Sequence, residues 1–150
     1  DYIQEGYIRD DDIHEWLHDI PCKICLIFDS CHSGTIGDLP WKFTYREPNE
    51  VVIEKERQIE MTNKHVFTLS SSIDTQNSWE IYNEVLKQSY GEFTQTLLMI
   101  LENNEYEISI MKLFQQISHE FCPKQFGKQQ VIQTPLLSSS SRIPDWIIKK

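Results

Sequence analysis

Residues 23–41 read KICLIFDSCHSGTIGDLPW, a short apolar run followed at once by small and polar residues. The apolar run, Ile24–Phe28, contains no polar alternation, which is typical of a strand buried on both faces of a parallel sheet. Gly34 lets the chain turn after this run, and open α/β sheets place their functional sites at the carboxyl ends of such strands. The stretch therefore predicts an α/β fold with a functional loop directly after this strand.

The candidate nucleophile of this loop is Cys31. Thiols are intrinsically nucleophilic, and this thiol lies among Asp, Ser, His and Gly instead of in an apolar run. The alternative is a buried structural cysteine beside a surface histidine, which the polar neighbours of Cys31 disfavour. We therefore expect a reactive thiol at this position.

The composition narrows the class of protein. The 150 residues are enough for one compact domain with a sizeable core, and 39% hydrophobic with 25% charged residues is ordinary for a globular protein. The net charge is −9, from 14 basic and 23 acidic residues, which argues against a nucleic-acid partner. No apolar run has the length of a membrane span, so no membrane partner is expected. The apolar stripes suit a core, and no organic cofactor is expected.

The four cysteines, Cys22, Cys25, Cys31 and Cys122, follow no regular framework, and nothing resembles a secretory signal. This pattern favours a reducing, cytoplasmic compartment. Cys22 and Cys25 form a C-x-x-C pair, but a zinc site needs a second pair of ligands at comparable spacing, which the sequence does not supply. Core packing is the expected role of Cys25, because it belongs to the apolar run.

Hydrophobic periodicity predicts the remaining elements. The stretch 42–64 is polar, carries both charges and is expected to be a mobile connection. The other segments show helical stripes or β-branched and aromatic runs. They predict a helix after Asp10–Asp12, a strand at His65–Ser70, helices at Glu92–Asn104 and after Ser109, and a strand within Gln130–Ser141 that Pro135 interrupts.

The run IFDSCHSGT at residues 27–35, followed by DLP at 38–40, closely resembles the nucleophile motif of the metacaspases, the caspase-like cysteine peptidases of clan CD. The resemblance extends, with gaps, from about Gly6 to about Ser141. It implies a caspase-like three-layer α/β/α sandwich with a mostly parallel sheet, of which this chain lacks the N-terminal strands. It also divides the chain into a helix with the nucleophile strand and loop (1–41), a variable insert (42–64) and a C-terminal portion (65–150).

The resemblance implies a cysteine endopeptidase in which Cys31 attacks the scissile carbonyl. In that family an acidic residue at the position of Asp29 lines the pocket for the residue before the cut, so peptides with Arg or Lys there are the implied substrates. The segment IDTQNSWE, Ile73–Glu80, is similar to a metacaspase segment whose last acidic residue helps to shape this pocket, which makes Glu80 a second candidate. The alternatives are a strand-end turn at Asp29 and a satisfied turn of Ser and Asp residues before Glu80.

The segment GYIRDDDIHEWL, residues 6–17, is similar to the one that precedes the metacaspase nucleophile strand. In calcium-dependent members a paired Asp there and an Asp shortly after the nucleophile contribute to a Ca²⁺ site, and the matching residues are Asp10, Asp11 and Asp38. The resemblance thus implies activating Ca²⁺ as a cofactor, and clustered carboxylates suit this cation. The alternative is that the aspartates at residues 10–12 cap the helix that they precede.

A thiol that attacks a peptide bond needs a group that handles its proton and protonates the leaving amine. In caspase-like peptidases this group is a histidine about 50 residues before the cysteine, which would fall before Asp1. None of the five histidines matches that motif. His14 and His18 are expected on a solvated helix face, and the side chain of His32 is expected to diverge from that of Cys31. The sequence therefore predicts a base from an upstream segment or, alternatively, an inactive caspase-like scaffold or regulatory module.

Overall fold

The computed structural model describes residues 6, 8–78, 80–84, 87–122, 133–142 and 146–149. Within these ranges the predicted helices and central strands are present. The elements, numbered in chain order, are α1 (Asp10–Asp19), β1 (Ile24–Phe28), β2 (Trp41–Arg46), β3 (Glu50–Lys55), β4 (Val66–Ser70), β5 (Glu80–Asn83), β6 (Gln88–Gly91), α2 (Glu92–Asn103), β7 (Ile108–Ser109), α3 (Ile110–Glu120), β8 (Leu136–Ser139) and β9 (Ile147–Ile148).

The central sheet has five strands in the order β1-β4-β8-β2-β3. β1 and β4 are parallel, with Phe28 opposite Ser70 at their carboxyl ends. The other three pairings of this sheet, β4 with β8, β8 with β2 and β2 with β3, are antiparallel. The predicted mostly parallel arrangement is therefore limited, among the described strands, to the pair that carries the nucleophile loop. The reason is that β2 and β3 form a hairpin and that β8 runs back between β4 and β2.

Helices cover both faces of this sheet. Successive residues of a strand point to opposite faces, so Phe67 and Val66 of β4 lie on different sides. Phe67 belongs to a cluster with α2 and α3, whose buried members include Phe93 and Phe114. Val66 packs instead with Leu17 of α1. The predicted α/β class and the three-layer α/β/α arrangement are confirmed, and burial of each large core side chain stabilises the fold by about 1.5–3 kcal/mol.

Two neighbouring strands of the sheet, β4 and β8, are buried throughout. β1 was predicted to have that environment, and this prediction is wrong for the described part of the chain. β1 lies at the edge of the sheet, Cys25 is exposed, and the side chain of Ile27 keeps 49% of its surface. The reason is that one face of β1 packs on α1 through Ile24 and Leu26, while the other face has no covering helix among the described residues.

A β-hairpin occupies the first part of the stretch 42–64, where the sequence predicted a connection without strands. In β2 the aromatic residues Trp41, Phe43 and Tyr45 alternate with polar ones, and Phe43 is completely buried in the core. This period of two is what a half-buried strand requires. The surrounding charges hid the alternation, so the connection prediction is wrong here, while residues 56–65 do lack regular structure.

Helix capping follows the sequence closely. The Oγ of Ser109 accepts a hydrogen bond from the backbone N–H of Lys112 at 3.3 Å and thus caps α3, as expected. Asp12 accepts from the backbone N–H of Arg9 at 3.0 Å at the start of α1. Across the described ranges, no helix is long and apolar enough to cross a membrane.

Candidate active site

The candidate site lies where β1 and β4 end side by side. Because the two strands are parallel, the loop after β1 (29–40, the nucleophile loop) and the segment after β4 (71–78, the facing segment) leave the same edge of the sheet. The backbone N–H of Ser71 donates to the carbonyl of Phe28 at 2.9 Å, which continues the pairing by one step beyond the strands. The geometry thus brings the nucleophile motif against the polar cluster that follows β4.

Cys31 lies in this loop with its side chain exposed to solvent. The backbone N–H of Ser78, from the facing segment, donates to Cys31 Sγ at 3.3 Å. An N–H donor aimed at sulfur stabilises the thiolate relative to the thiol. The Cys31 thiol is therefore accessible, and a backbone N–H is aimed at its sulfur.

The facing segment holds the nucleophile loop in place through several hydrogen bonds. Ser70 Oγ donates to the carbonyl of Ser33 at 2.8 Å, and the backbone N–H of Thr35 donates to Asp74 Oδ1 at 3.1 Å. Gly34 passes so close that a Cβ there would lie 3.1 Å from the backbone nitrogen of Asp74. The loop geometry therefore depends on contacts across the site as well as on the motif itself.

None of the five histidines, all of which lie in the described ranges, hydrogen-bonds to Cys31. His32 adopts a left-handed backbone conformation (φ 57°) and its Nδ1 bonds the carbonyl of Asp74. A carbonyl oxygen only accepts, so Nδ1 carries the proton in this contact. The ring of His32 is thus committed to the facing segment, in line with the expected divergence from Cys31.

His14 has a tertiary contact, so the prediction of a solvated helix face is wrong for it. Its Nδ1 lies 2.8 Å from the carbonyl oxygen of Gly37, and the ring is partly buried. His18, one turn further along α1, accepts a hydrogen bond of 3.5 Å from the backbone N–H of Thr62. Both imidazoles therefore connect α1 to loops, and neither approaches Cys31.

Asp29 caps helix α2 from a distance in sequence. Its Oδ2 accepts from the backbone N–H of Thr94 at 3.1 Å and from Thr94 Oγ1 at 2.6 Å. The positive end of the helix dipole stabilises a carboxylate in this position. A Cβ on Gly91, the N-cap residue of α2, would overlap Oδ2 and lie 2.7 Å from the Asp29 Cγ. Only glycine leaves room for the carboxylate there.

The second oxygen of this carboxylate is placed differently. Asp29 Oδ1 is buried and has no hydrogen-bond partner within the described part of the chain. A buried carboxylate oxygen without a donor is costly unless a cationic or N–H group reaches it. The strand-end turn that residue chemistry alone suggested for Asp29 does not account for this unsatisfied oxygen.

Glu80 opens β5 and lies opposite Gly91 in the β5–β6 register. Its side chain is exposed. The backbone therefore brings Glu80 beside the glycine that contacts Asp29, so that both predicted pocket residues lie at one edge of the site.

The predicted calcium ligands are only partly brought together. Asp10 Oδ1 accepts from the backbone N–H of Gly37 at 2.5 Å, and Asp38 forms an ion pair with Arg57. Desolvation raises the pKa of Asp38, the negative charge of Asp10 raises it further, and Arg57 opposes this shift. Asp11 is exposed on α1.

As placed, these carboxylates do not fit a calcium ion. Arg57 already neutralises Asp38, and the parts of the chain that the structure covers contain no group of three or more His, Cys, Asp or Glu side chains arranged to hold a metal. Calcium binding therefore stays a prediction, and no step of the chemistry below depends on it.

The other three cysteines are also unpaired, and two have suppressed acidity. Cys25 is exposed as a residue, but its thiol is desolvated by the surrounding side chains. This desolvation raises the pKa of the thiol to about 11. Desolvation and a hydrogen bond with Glu47 raise the pKa of Cys122. A thiol that stays protonated at neutral pH is a poor nucleophile.

Several contributing residues carried no sequence signal of their own. Thr94 and Gly91 act on Asp29 across more than sixty residues, and Arg57 is one of several basic residues in a charged stretch. Ser71 stands in a run of serines that reads as a turn. The sequence GEFT at 91–94 places a glycine directly before a helix start, a pattern that is typical of anion-binding helix N-termini. This pattern could have indicated that a carboxylate lies at the start of α2.

Comparison with known proteins agrees with this geometry. A family model described as the caspase domain, of the peptidase C14 family, matches residues 2–145. Metacaspase-3 of Trypanosoma brucei brucei is 30% identical over 155 aligned positions, covering 95% of this chain and 42% of that protein. Metacaspase-2 of the same organism is 31% identical, with 95% and 43% covered. Metacaspase-1 of Mycosarcoma maydis is 45% identical over 58 residues, which are 34% of this chain and 14% of that protein. The chain spans less than half of the length of these relatives.

Proposed function

The chain belongs to the caspase-domain family of peptidases, and from this membership we propose that it carries the nucleophile of a metacaspase-type cysteine endopeptidase that cleaves after Arg or Lys. The proposal is carried by two groups that lie two residues apart in the sequence. The Cys31 thiol is exposed, and the Oδ1 oxygen of the Asp29 carboxylate is buried without a hydrogen-bond partner in the described part of the chain. The first group reacts, and the second recognises the side chain beside the reacting bond.

The proposed reaction starts with attack of the Cys31 thiolate on the scissile carbonyl carbon. A C–S bond forms while the carbonyl electron pair moves to oxygen, and the backbone N–H of Cys31 offers one donor to the resulting oxyanion. The C–N bond then breaks as the leaving amine accepts a proton, which leaves an acyl group on sulfur. Water hydrolyses this thioester and regenerates the thiol.

We propose that the proton in these steps is handled by a histidine outside residues 1–150. Support comes from the five histidines of the chain, of which His32 is bonded to the facing segment and none hydrogen-bonds to Cys31. A base has to reach the thiol within hydrogen-bond distance in the reacting complex. The same outside segment would supply the second oxyanion donor.

Specificity in the proposal rests on charge. A guanidinium or ammonium group that enters beside Cys31 can donate to Asp29 Oδ1, and such charge-assisted contacts are about twice as strong as neutral ones. Glu80 adds negative charge at the same edge. An aspartate side chain in this position would be repelled, so the site discriminates by attraction and by repulsion together.

The second candidate function is an inactive caspase-like scaffold or regulatory module. The observation that favours it is that no histidine of the chain hydrogen-bonds to Cys31. The two readings differ in whether the thiol reacts selectively with a basic peptide. A reducing, cytoplasmic compartment belongs to either proposal, because all four cysteines are unpaired.

The proposal is tested by covalent labelling with a peptidyl chloromethyl ketone that carries Arg next to the reactive carbon. The thiolate displaces chloride and forms a stable C–S bond, so no turnover is needed. We expect peptide mass mapping at pH 7 to find the main adduct on Cys31, because burial suppresses the thiolates of Cys25 and Cys122. Cys31→Ala should remove that adduct, whereas comparable labelling of Cys22 and Cys31 would refute a selective site.

We also expect that residues 1–150 alone do not cleave peptides containing Arg or Lys, with or without added Ca²⁺. The physical reason is that no described group is placed to protonate the leaving amine. Release of a fluorogenic amine from Arg and Lys substrates measures this, with the Cys31→Ala variant as background. Robust turnover by the chain that Cys31→Ala abolishes would show that a base is present after all.

A further inference from the structure

The thiol of Cys31 depends for its N–H donor on Ser78, and the structure shows what holds Ser78. The Ser78 hydroxyl bonds the hydroxyl of Ser71. Ser71 lies at the carboxyl end of β4, is completely buried, and is fixed by its backbone bond to Phe28. The hydroxyl of a buried residue directly after β4 therefore helps to determine where the Ser78 amide lies.

The hydroxyl of Ser71 also reaches the other side of the thiol. Ser71 Oγ donates to the carbonyl of Ser30, the residue before Cys31, at 3.3 Å. A hydroxyl has one proton to donate and two lone pairs. Since that proton goes to Ser30, the proton between the two hydroxyls belongs to Ser78, and Ser71 accepts it. One buried oxygen thus connects the residue before the nucleophile with the residue that donates to its sulfur.

We propose that Ser71 is a positioning residue for Cys31, which holds the Ser78 N–H on the sulfur and thereby speeds the reaction of the thiol at neutral pH. The proposal rests on Cys31 being the nucleophile and deepens the proposed function. Ser71 does not touch the substrate or the sulfur and acts through Ser78 and Ser30.

Ser72 provides a natural comparison. It is equally buried, and its Oγ donates to the carbonyls of Ser30 and Gln76 at 3.4 Å, but it forms no hydrogen bond with Ser78. Ser72→Ala therefore removes a hydrogen bond to Ser30 but leaves the hydrogen bonds of Ser78 in place. Ser118, buried on α3 far along the chain, has no hydrogen-bond partner within the described ranges and serves as the unchanged control.

Other charged groups around the thiol have to stay constant in such a test. The titratable residues on the elements that surround Cys31 are Asp29, His32 and Asp38 on its own loop, where Arg57 pairs with Asp38, and Asp74 and Glu80 on the opposite side. None is altered in the variants below. A change in reactivity with pH can therefore be assigned to the Ser78 donor.

The experiment measures alkylation of Cys31 by iodoacetamide in the 150-residue chain, followed on the Cys31 peptide by mass spectrometry at pH 7 and pH 10. Ser71→Ala and Ser78→Ala should each lower the rate at pH 7 about three- to tenfold, the effect of weakening one hydrogen bond to a charged group. At pH 10, above the ordinary pKa of a cysteine thiol, the rates should agree within about twofold. The double variant should be no slower than either single one, because both remove the same link.

Ser72→Ala should have a smaller effect at pH 7, and Ser118→Ala none. The proposal is overturned if Ser71→Ala alkylates like the parent chain at pH 7, if its rate falls equally at both pH values, or if the two single effects multiply. If Ser71→Ala does not fold, as judged by its circular dichroism, Ser78→Ala alone decides by the same criteria. These alkylation results are separate from the labelling by the arginine chloromethyl ketone. If that ketone did not label Cys31 selectively, the proposed function itself would be refuted.

Discussion

Replacing Asp29 by Asn should abolish the preference of Cys31 for an arginine ketone over its citrulline analogue. Citrulline has the shape of arginine without its charge, so the ratio of the two labelling rates isolates the charge-assisted contact with Asp29 Oδ1. We expect a ratio of about ten- to hundredfold in the parent chain, which corresponds to the strength of hydrogen bonds to charged groups. In Asp29→Asn the ratio should fall to within about twofold.

Asparagine is the informative substitution because its side-chain oxygen can still accept from Thr94 and cap α2. The control is Glu80→Gln, which removes one charge at the exposed edge of the same site and should lower the ratio much less, since exposed charges are screened. A ratio that survives in Asp29→Asn would assign the recognition of arginine to another group.

Gly91→Ala should disturb the site as strongly as the loss of the carboxylate itself. The new methyl group would overlap Asp29 Oδ2, and the carboxylate is the part that can move. Its displacement breaks both hydrogen bonds to Thr94 and leaves α2 without this cap. We expect the free energy of unfolding to fall by about 1–2 kcal/mol, the usual effect of losing a cap, together with the loss of the arginine preference.

Urea unfolding followed by circular dichroism gives the stability, and the two ketones give the preference. Ser89→Ala is the matched control, because Ser89 is exposed on the same strand, β6, and should leave both quantities unchanged. If Gly91→Ala kept the arginine preference of the parent chain, the Asp29 carboxylate would not be the group that recognises arginine.

The nucleophile loop could be predicted from the sequence because its determinants are local. A continuous apolar strand, the glycine at 34 and the residues around Cys31 follow one another within a dozen positions. The strand that neighbours it, β4, shows the same kind of local signal. Their parallel pairing then places Cys31 and Ser78 at one sheet edge without further information.

The parts that sequence reasoning missed depend on tertiary contacts. The alternation of Trp41, Phe43 and Tyr45 was present but was masked by charged neighbours, and only burial shows that it is a core strand. His14 looks like any exposed helical histidine until the carbonyl of Gly37 is found beside it. The ion pair between Asp38 and Arg57 joins a turn to a charged stretch, and no spacing rule connects them.

In the proposed site, Cys31 reacts beside the Asp29 carboxylate, which selects substrates with a basic residue before the cut. The most direct measurement is the rate of labelling of the Cys31 peptide by two chloromethyl ketones that differ only in Arg or Asp next to the reactive carbon, in the parent chain at pH 7. We expect the arginine compound to react at least about tenfold faster, because Asp29 Oδ1 attracts one side chain and repels the other. Equal rates, or faster labelling by the aspartate compound, would contradict it.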